Sequence, residues 1–170
     1  MKIEYDFGGS GENLAEFSLY FIRHRKAFSR NFTLEKALLH LLETLSVSEL
    51  LLLRDEQRAI VGYASFRRQQ LDGQPDPQGE VAFVDSVVLE EDHRSSRVFV
   101  RSFRELVRYM LENYRGVQFF QFHALADQPY LNRLYGKFAE ITGQAEGIHG
   151  PENIYTVDIA KLHSYLTSFK

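Results

Sequence analysis

The chain has 170 residues, of which 44% are hydrophobic and 25% are charged. This length fits one domain, in which roughly 68–70% of the unfolded surface can be buried. The net charge of -3 argues against a dedicated nucleic-acid-binding protein, and the absence of cysteine excludes disulfides, thiolate metal ligands and a cysteine nucleophile. Because the N-terminus is charged and every apolar run is short, we expect no secretory signal and no membrane span. The sequence predicts a single cytoplasmic domain over residues 1–170.

The first 45 residues contain two predicted helices. From Glu12 to Phe28, apolar residues recur at helical spacing, and a second such pattern runs from Leu34 to Leu45. Thr33 precedes the second pattern and suits the N-cap position, since its hydroxyl can accept a backbone N–H.

Strands are predicted next. Leu50–Leu53 and Ala59–Arg67 flank a polar turn, which indicates a hairpin. The segment Asp72–Gly79 is rich in proline and glycine and is predicted to be a loop. Glu80–Leu89 is apolar on both alternations, which is typical of a central strand covered on both faces.

Helices and strands alternate in the second half of the chain. We predict a long helix over Arg94–Tyr114, a strand over Val117–Leu125 and a helix over Gln128–Ile141. A polar loop at Glu146–Asn153 then leads to a final strand from Ile154, followed by a short helix or tail. This order predicts an α/β (α+β) chain with a central mixed sheet flanked by helices.

The order of elements resembles that of the GNAT-type N-acetyltransferases, and two segments carry the resemblance. The strand-turn-helix segment Val87–Phe99 is similar to the family's apolar strand, acidic turn and Arg/Gln-x-x-Gly-x-Gly/Ala helix start. The segment Leu134–Phe138 is similar to the family's Leu-Tyr-x-Lys segment. The resemblance implies a GNAT-like fold and the use of acetyl-CoA as co-substrate.

The resemblance also implies where acetyl-CoA binds. A helix N-terminus presents free N–H groups and a positive dipole end to a pyrophosphate. Arg97 and Phe99 stand where the family prefers small residues, so two outcomes are open: the turn binds an acyl-CoA, or its bulky side chains have abolished binding. The residues expected to hold the pantetheine arm are Val87, Val88 and Leu89, and those expected at the pyrophosphate are Arg94, Ser95, Ser96, Arg97 and Val98.

Three residues are candidates for proton transfer. By resemblance, Tyr135 would protonate the departing thiolate, although it could equally be one more aromatic residue on the apolar face of its helix. Asp85 interrupts an apolar alternation, and a lone carboxylate there must be paired, exposed or shifted in pKa. Glu80, at the start of the same strand, is the second candidate for the base and could also be a solvated strand end.

The alternative to an enzyme is a degenerate GNAT-like domain that acts as a binding or regulatory module. A donor other than acetyl-CoA, such as a longer acyl-CoA, is a further alternative. As partners we expect a small-molecule or peptide amine acceptor and a possible homodimer, but no nucleic acid and no membrane. The six histidines have no metal-ligand spacing, so no metal site is predicted.

Overall fold

The computed structural model describes residues 2–28 and 32–169, without the side chains of Phe28 and Ser96. A short 3-10 turn, Glu91–His93, precedes the third helix. In chain order the strands and helices are β1 (Glu4–Phe7), α1 (Gly11–Phe28), α2 (Leu34–Val47), β2 (Glu49–Arg54), β3 (Ile60–Gln69), β4 (Val81–Leu89), α3 (Ser96–Asn113), β5 (Phe119–Leu125), α4 (Pro129–Tyr135), β6 (Glu140–Gly147), β7 (Gly150–Asp158) and α5 (Ile159–Thr167).

The strands form a mixed sheet in the order β1-β2-β3-β4-β5-β7-β6. β4 and β5 are parallel, whereas β1–β2, β2–β3, β5–β7 and β6–β7 are antiparallel. This arrangement confirms the predicted α/β class with a mixed sheet and helices.

The chain divides into two compact units, each described separately. The first consists of Met1–Phe66 and Ser86–Arg94, and the second of Arg67–Asp85 and Ser95–Lys170. The prediction of a single domain over residues 1–170 stays a prediction.

The core of the first unit is aromatic. Phe17, Phe21 and Tyr63 are each 1% exposed, and the rings of Phe17 and Tyr63 meet edge to face at 4.8 Å. Helix α2 begins as predicted, because the Thr33 hydroxyl accepts the N–H of Lys36. The helical periodicity seen in the sequence therefore builds this core.

The core of the second unit lies under α3 and α5. The ring of Phe103 on α3 meets that of Phe120 on β5 edge to face at 5.2 Å. The other deeply buried apolar side chains include Leu106, Val107, Met110 and Leu162. Burying these side chains is the main stabilising contribution expected in this unit.

Two predictions for the C-terminal part were wrong. The helix predicted over Gln128–Ile141 ends at Tyr135, and Glu140–Gly147 pairs antiparallel with β7. The predicted loop Glu146–Asn153 is largely the hairpin between β6 and β7, whose turn closes at Gly150 with φ +126°. Only glycine adopts this conformation readily.

The predicted burial of β4 on both faces holds only for its first half. Val81–Val84 are buried and form the parallel ladder with Phe119–Phe122. Beyond this ladder Asp85 and Val87 are exposed, and Val87 is 53% accessible. Burial therefore follows the extent of the ladder rather than the apolar sequence.

Candidate functional site

In the first unit, the end of β4 is tied to the turn that follows it. Val88 packs against the aromatic core, whereas Val87 is exposed. The carbonyl of Leu89 accepts a hydrogen bond from Nε of Arg94 at 2.7 Å. The guanidinium of Arg94 is thus held beside the strand end from which the turn starts.

Gly62 on β3 allows the close approach of this strand end. A Cβ at Gly62 would lie 2.6 Å from the carbonyl oxygen of Val88, which is closer than real Cβ contacts. The N–H of Glu90 donates to the carbonyl of Val61 at 2.9 Å, immediately beside Gly62. This glycine was not predicted from the sequence, since nothing local distinguishes it from other glycines in strands.

In the second unit, α3 begins with an N-cap at Ser95. The Ser95 hydroxyl accepts the N–H of Val98 at 3.2 Å, and its carbonyl accepts the N–H of Phe99. Because the helix starts at Ser96, the N–H groups of Ser96 and Arg97 have no acceptor within α3. Arg97 is exposed. The first turn of α3 therefore offers two amides and a nearby cation to an anion.

The ring of Phe99 packs sideways along α3. It stacks on Phe103 with ring centroids 5.7 Å apart and an interplanar angle of 22°. Phe103 in turn contacts Phe120 of the core. Phe99 thus joins the apolar face of the helix.

Tyr135 ends α4 within an aromatic cluster. Its ring contacts Phe122 at 4.8 Å, Tyr155 at 5.7 Å and Phe138 at 6.2 Å. Burial, followed by the charge that Tyr155 would carry, raises the pKa of the Tyr135 phenol. A raised pKa keeps this phenol protonated at neutral pH, as a proton donor must be.

Asn132, one turn before Tyr135, fixes α4 to the sheet. Its Oδ1 accepts hydrogen bonds from the hydroxyl of Tyr155 at 2.6 Å and from Nδ2 of Asn153 at 2.9 Å. Its Nδ2 donates to the carbonyl of Leu125 at 2.8 Å. This residue was not predicted from the sequence; the local signal for it is an Asn within a short amphipathic helix.

The two predicted carboxylates do not contact the phenol. Asp85, directly after the last ladder residue of β4, is exposed, so exposure accounts for this carboxylate in an apolar strand. Glu80 is partly exposed, and its carbonyl accepts the N–H groups of Gln118 and Phe119. Among the described residues, no hydrogen bond joins either side chain to Tyr135.

A cleft of about 210 Å³ in the second unit was not predicted. On one wall, Nδ1 of His123 lies 3.0 Å from a carboxylate oxygen of Glu152. On another, Nε2 of Gln69 donates to Oε1 of Gln121 at 3.0 Å. The guanidinium of Arg67 lies over the ring of Phe83, 4.8 Å from its centroid. We call this group the β5 cleft; its lining residues are Arg67, Gln69, Leu71, Asp72, Gly73, Phe83, Gln121, His123 and Ile154.

Two kinds of feature are absent from residues 2–28 and 32–169. No group of three or more His, Asp or Glu side chains in these ranges is placed to share a metal ion. In the same ranges, no helix combines the length and the apolar character that a membrane crossing needs.

Solved structures of acetyltransferases share this architecture. A proposed GNAT-family acetyltransferase from Desulfovibrio desulfuricans matches with a TM-score of 0.68 and 11% identity, over 93% of this chain and 99% of that chain. NAA60 from Arabidopsis thaliana, in complex with a bisubstrate analogue, matches with a TM-score of 0.64 and 12% identity, over 92% and 99%. A chain of the NatC complex bound to Gag peptide and CoA matches with a TM-score of 0.64 and 10% identity, over 93% and 99%.

At the level of sequence, neither a protein-family model nor a curated protein sequence matches the chain. The structural matches extend over nearly the whole of this chain and of each neighbour. The chain therefore has the fold of the GNAT acetyltransferases.

Proposed function

We propose that the protein is an N-acetyltransferase that moves an acetyl group from acetyl-CoA to a primary amine. The observation that carries the proposal is the start of α3, where two backbone amides lack a partner within the helix. The ring of Phe99 packs along the helix against Phe103. The neighbours bound to CoA or to a bisubstrate analogue support the same choice of donor.

The residues at this turn fit a pyrophosphate. The amides of Ser96 and Arg97 would donate to its oxygens, and Ser95 organises the turn through its bond to Val98. The guanidinium of Arg97 would add positive charge where the family uses glycine, and Arg94 stands where the family has Arg or Gln. Arg97 is thus a cation near the phosphates rather than an obstruction.

The strand before the turn would hold the pantetheine arm. The parallel ladder between β4 and β5 runs to Val84, so the β4 backbone at Val87, Val88 and Leu89 follows the ladder. Backbone amide and carbonyl groups beyond a ladder can pair with an extended, amide-containing ligand as a further strand would.

Bound acetyl-CoA would supply a thioester, which is already activated toward attack by an amine. Tyr135 would donate its phenolic proton to the sulfur, since a phenol is protonated at neutral pH. Asp85 and Glu80, both accessible to water, would pass the proton of the amine to solvent. Alignment of the two reactants would be the largest contribution of the protein, because orientation replaces an entropic cost.

The acceptor in this proposal is a small-molecule or peptide amine. The peptide and the bisubstrate analogue in the neighbouring structures support that choice of class. A cytoplasmic location and assembly into a homodimer are both retained as expectations.

Calorimetric titration with acetyl-CoA tests donor binding. We expect micromolar affinity that Arg97→Glu weakens about tenfold or more, because a carboxylate would face the phosphates. Arg115→Glu makes the same charge change beyond the other end of α3, about 27 Å away, and should leave the affinity unchanged. No heat at millimolar acetyl-CoA would refute the proposal and favour a binding module that has lost the cofactor.

Release of the CoA thiol tests the role of Tyr135. We expect Tyr135→Phe to lower the rate of acetyl transfer by about 10²-fold, the lower end for a positioned acid. The affinity for acetyl-CoA should stay unchanged. An unaltered rate on a good acceptor would remove Tyr135 from the mechanism.

A further inference from the structure

One side of α3 carries a line of arginines, which we call the arginine stripe. Its members are spaced four, three and four residues apart: Arg97, Arg101, Arg104 and Arg108. At about 100° and about 1.5 Å per residue, they fall within an arc of about 60° and extend over about 16 Å of the helix axis. Leu106 and Met110, which are 1% and 0% exposed, lie on the opposite side of the helix.

The charge of the arginine stripe is largely unpaired. Arg97, Arg101 and Arg108 are exposed, and Arg104 is partly exposed. Arg108 pairs with Glu105, one turn before it. The other three members have no ion-pair partner among the residues that the structure describes. Because the whole chain has a net charge of -3, this positive line is a local feature, and it favours a negatively charged partner.

The arginine stripe begins at the proposed pyrophosphate site and continues well beyond it. Arg97 lies in the first turn of α3, beside the two amides that would bind the phosphates. Arg104 and Arg108 lie about 10 and 16 Å further along the helix axis. A single nucleotide bound at the first turn leaves this far half of the stripe in solvent. The whole stripe therefore fits a ligand that is longer than coenzyme A and carries several negative charges.

The surroundings of the arginine stripe favour an acidic protein over a nucleic acid or a membrane. Nucleic-acid strands need aromatic side chains to stack on, whereas Phe99 and Phe103 of α3 pack on each other and towards the core. A helix that binds a membrane surface needs its apolar face free, and that of α3 is buried. Carboxylates on a second helix recur at the same spacing of three and four residues, and guanidinium groups bind them through two parallel hydrogen bonds.

An acyl group on a pantetheine arm is carried either by coenzyme A or by a small carrier protein, in which the phosphate of the arm is esterified to a serine. We propose that α3 binds an acidic acyl carrier protein, with the arm phosphate at the first turn and an acidic helix along Arg101, Arg104 and Arg108. This inference rests on the proposed acetyl transfer and adds a second donor to it. The C–S bond of the carrier's thioester breaks as the C–N bond forms. One amine proton ends on the sulfur, so the carrier leaves as a thiol.

Calorimetric titration with a recombinant acyl carrier protein of fatty-acid synthesis, bearing an acetylated arm, tests the proposal. At low salt we expect micromolar affinity, which Arg108→Glu should weaken about tenfold because like charges would then face each other. The affinity of this variant for acetyl-CoA should stay within about threefold of wild type. Glu105→Gln removes the carboxylate that competes for Arg108, so it should strengthen carrier binding by about threefold. Arg58→Glu, at a 74% exposed side chain before β3, is the matched control and should change neither affinity.

Two further measurements separate the contributions of charge and of the arm. Raising the salt to about 0.5 M should weaken carrier binding and remove the difference between wild type and Arg108→Glu, because salt screens exposed charges. The carrier without its arm should bind about tenfold more weakly, since it has no phosphate for the first turn of α3. Equally tight binding of the armless carrier, or of a single-stranded oligouridine, would overturn the inference, because the arginine stripe would then bind any polyanion.

The outcomes separate this inference from the proposed function. If wild type binds neither acetyl-CoA nor the acetylated carrier, the proposed function fails and the inference fails with it. If wild type binds acetyl-CoA but not the carrier, or if Arg108→Glu binds the carrier as tightly as wild type does, only the inference is overturned. If wild type binds the carrier but not acetyl-CoA, the inference is supported and the donor named in the proposed function is wrong.

Discussion

Replacing Asn132 by alanine should destabilise the second unit by removing the group that joins α4 to the sheet. The side chain of Asn132 accepts from Tyr155 and Asn153 and donates to the carbonyls of Leu125 and Gln128. Tyr155 is 1% exposed and Asn153 is 9% exposed, so neither can turn to water once its acceptor is gone.

The size of the effect follows from these two buried donors. A buried donor left without a partner costs about 1–3 kcal/mol. Because the Tyr155 hydroxyl also lies 3.3 Å from the backbone carbonyl of Asn132, part of its bonding survives. We therefore expect Asn132→Ala to lower the free energy of unfolding by about 2–4 kcal/mol, which corresponds to a fall in Tm of roughly 5–15 °C for a chain of this size.

Urea denaturation of single and double variants measures the effect. Asn113→Ala is the matched control, since Asn113 is exposed and bonds only to the carbonyl of Tyr109; it should cost less than about 0.5 kcal/mol. Tyr155→Phe should be destabilising in the wild-type background and clearly less so beside Asn132→Ala, where only the bond to the backbone carbonyl remains. Additive effects of the two changes, or a loss below about 0.5 kcal/mol for Asn132→Ala, would refute the reasoning.

Three further predictions concern other parts of the chain. Gly62→Ala should lower the free energy of unfolding by about 1–3 kcal/mol, because the new Cβ would meet a backbone carbonyl. Gly11→Ala, with open space around the glycine, should not lower it, and equal denaturation midpoints for the two variants would contradict this. Arg54→Met should cost about 2–4 kcal/mol, since Arg54 is 3% exposed and its guanidinium bonds two carboxylates. Arg58→Met, at a 74% exposed side chain, should change the free energy of unfolding by less than about 0.5 kcal/mol. Burial raises the pKa of three phenols, so above about pH 10 these groups lose their protons in the unfolded state before they do so in the folded state. The free energy of unfolding should therefore fall there by up to about 1.4 kcal/mol per pH unit for each phenol. A denaturation midpoint that stays flat from pH 9 to 11 would exclude this. These phenols are Tyr20, Tyr135 and Tyr155.

The long helices could be predicted from the sequence because their signals are local. The pattern over Glu12–Phe28 gave α1 to within one residue, and Thr33 fixed the start of α2 by a hydrogen bond three residues away. The third helix was predicted two residues early, at Arg94, because the cap is Ser95. A residue that caps a helix lies within one turn of the N–H groups it binds, so the local sequence shows where the helix begins.

The errors occurred where distant pairing decides the structure. Leu134, Phe138 and Ile141 have helical spacing, yet Ile141 pairs with Tyr155 on β7. β1 was missed because its partner is remote: Phe7 lies opposite Leu51. Local propensity cannot show a strand whose stability comes from a partner found elsewhere in the chain.

The residues of the candidate site also differ in whether the local sequence could reveal them. The start of α3 and Tyr135 could be predicted because they lie in short segments that resemble a family. Asn132 and the pair His123–Glu152 could not, since their partners come from other elements; Glu152 is 29 residues from His123. A search for histidines at close sequence spacing necessarily misses such a pair.

The register of β5 determines which chemistry the second unit can perform. Phe120, Phe122 and Ala124 point into the core and are at most 8% exposed, while the residues between them face the other side. A slip of one residue would bury His123 and expose Phe122, which the apolar burial opposes strongly. The pairing of Phe122 with Tyr155 therefore fixes the register of β5 as well as contributing to the core. It sets the face on which the imidazole of His123 lies against Phe83, opposite the face on which Phe122 packs against Tyr135.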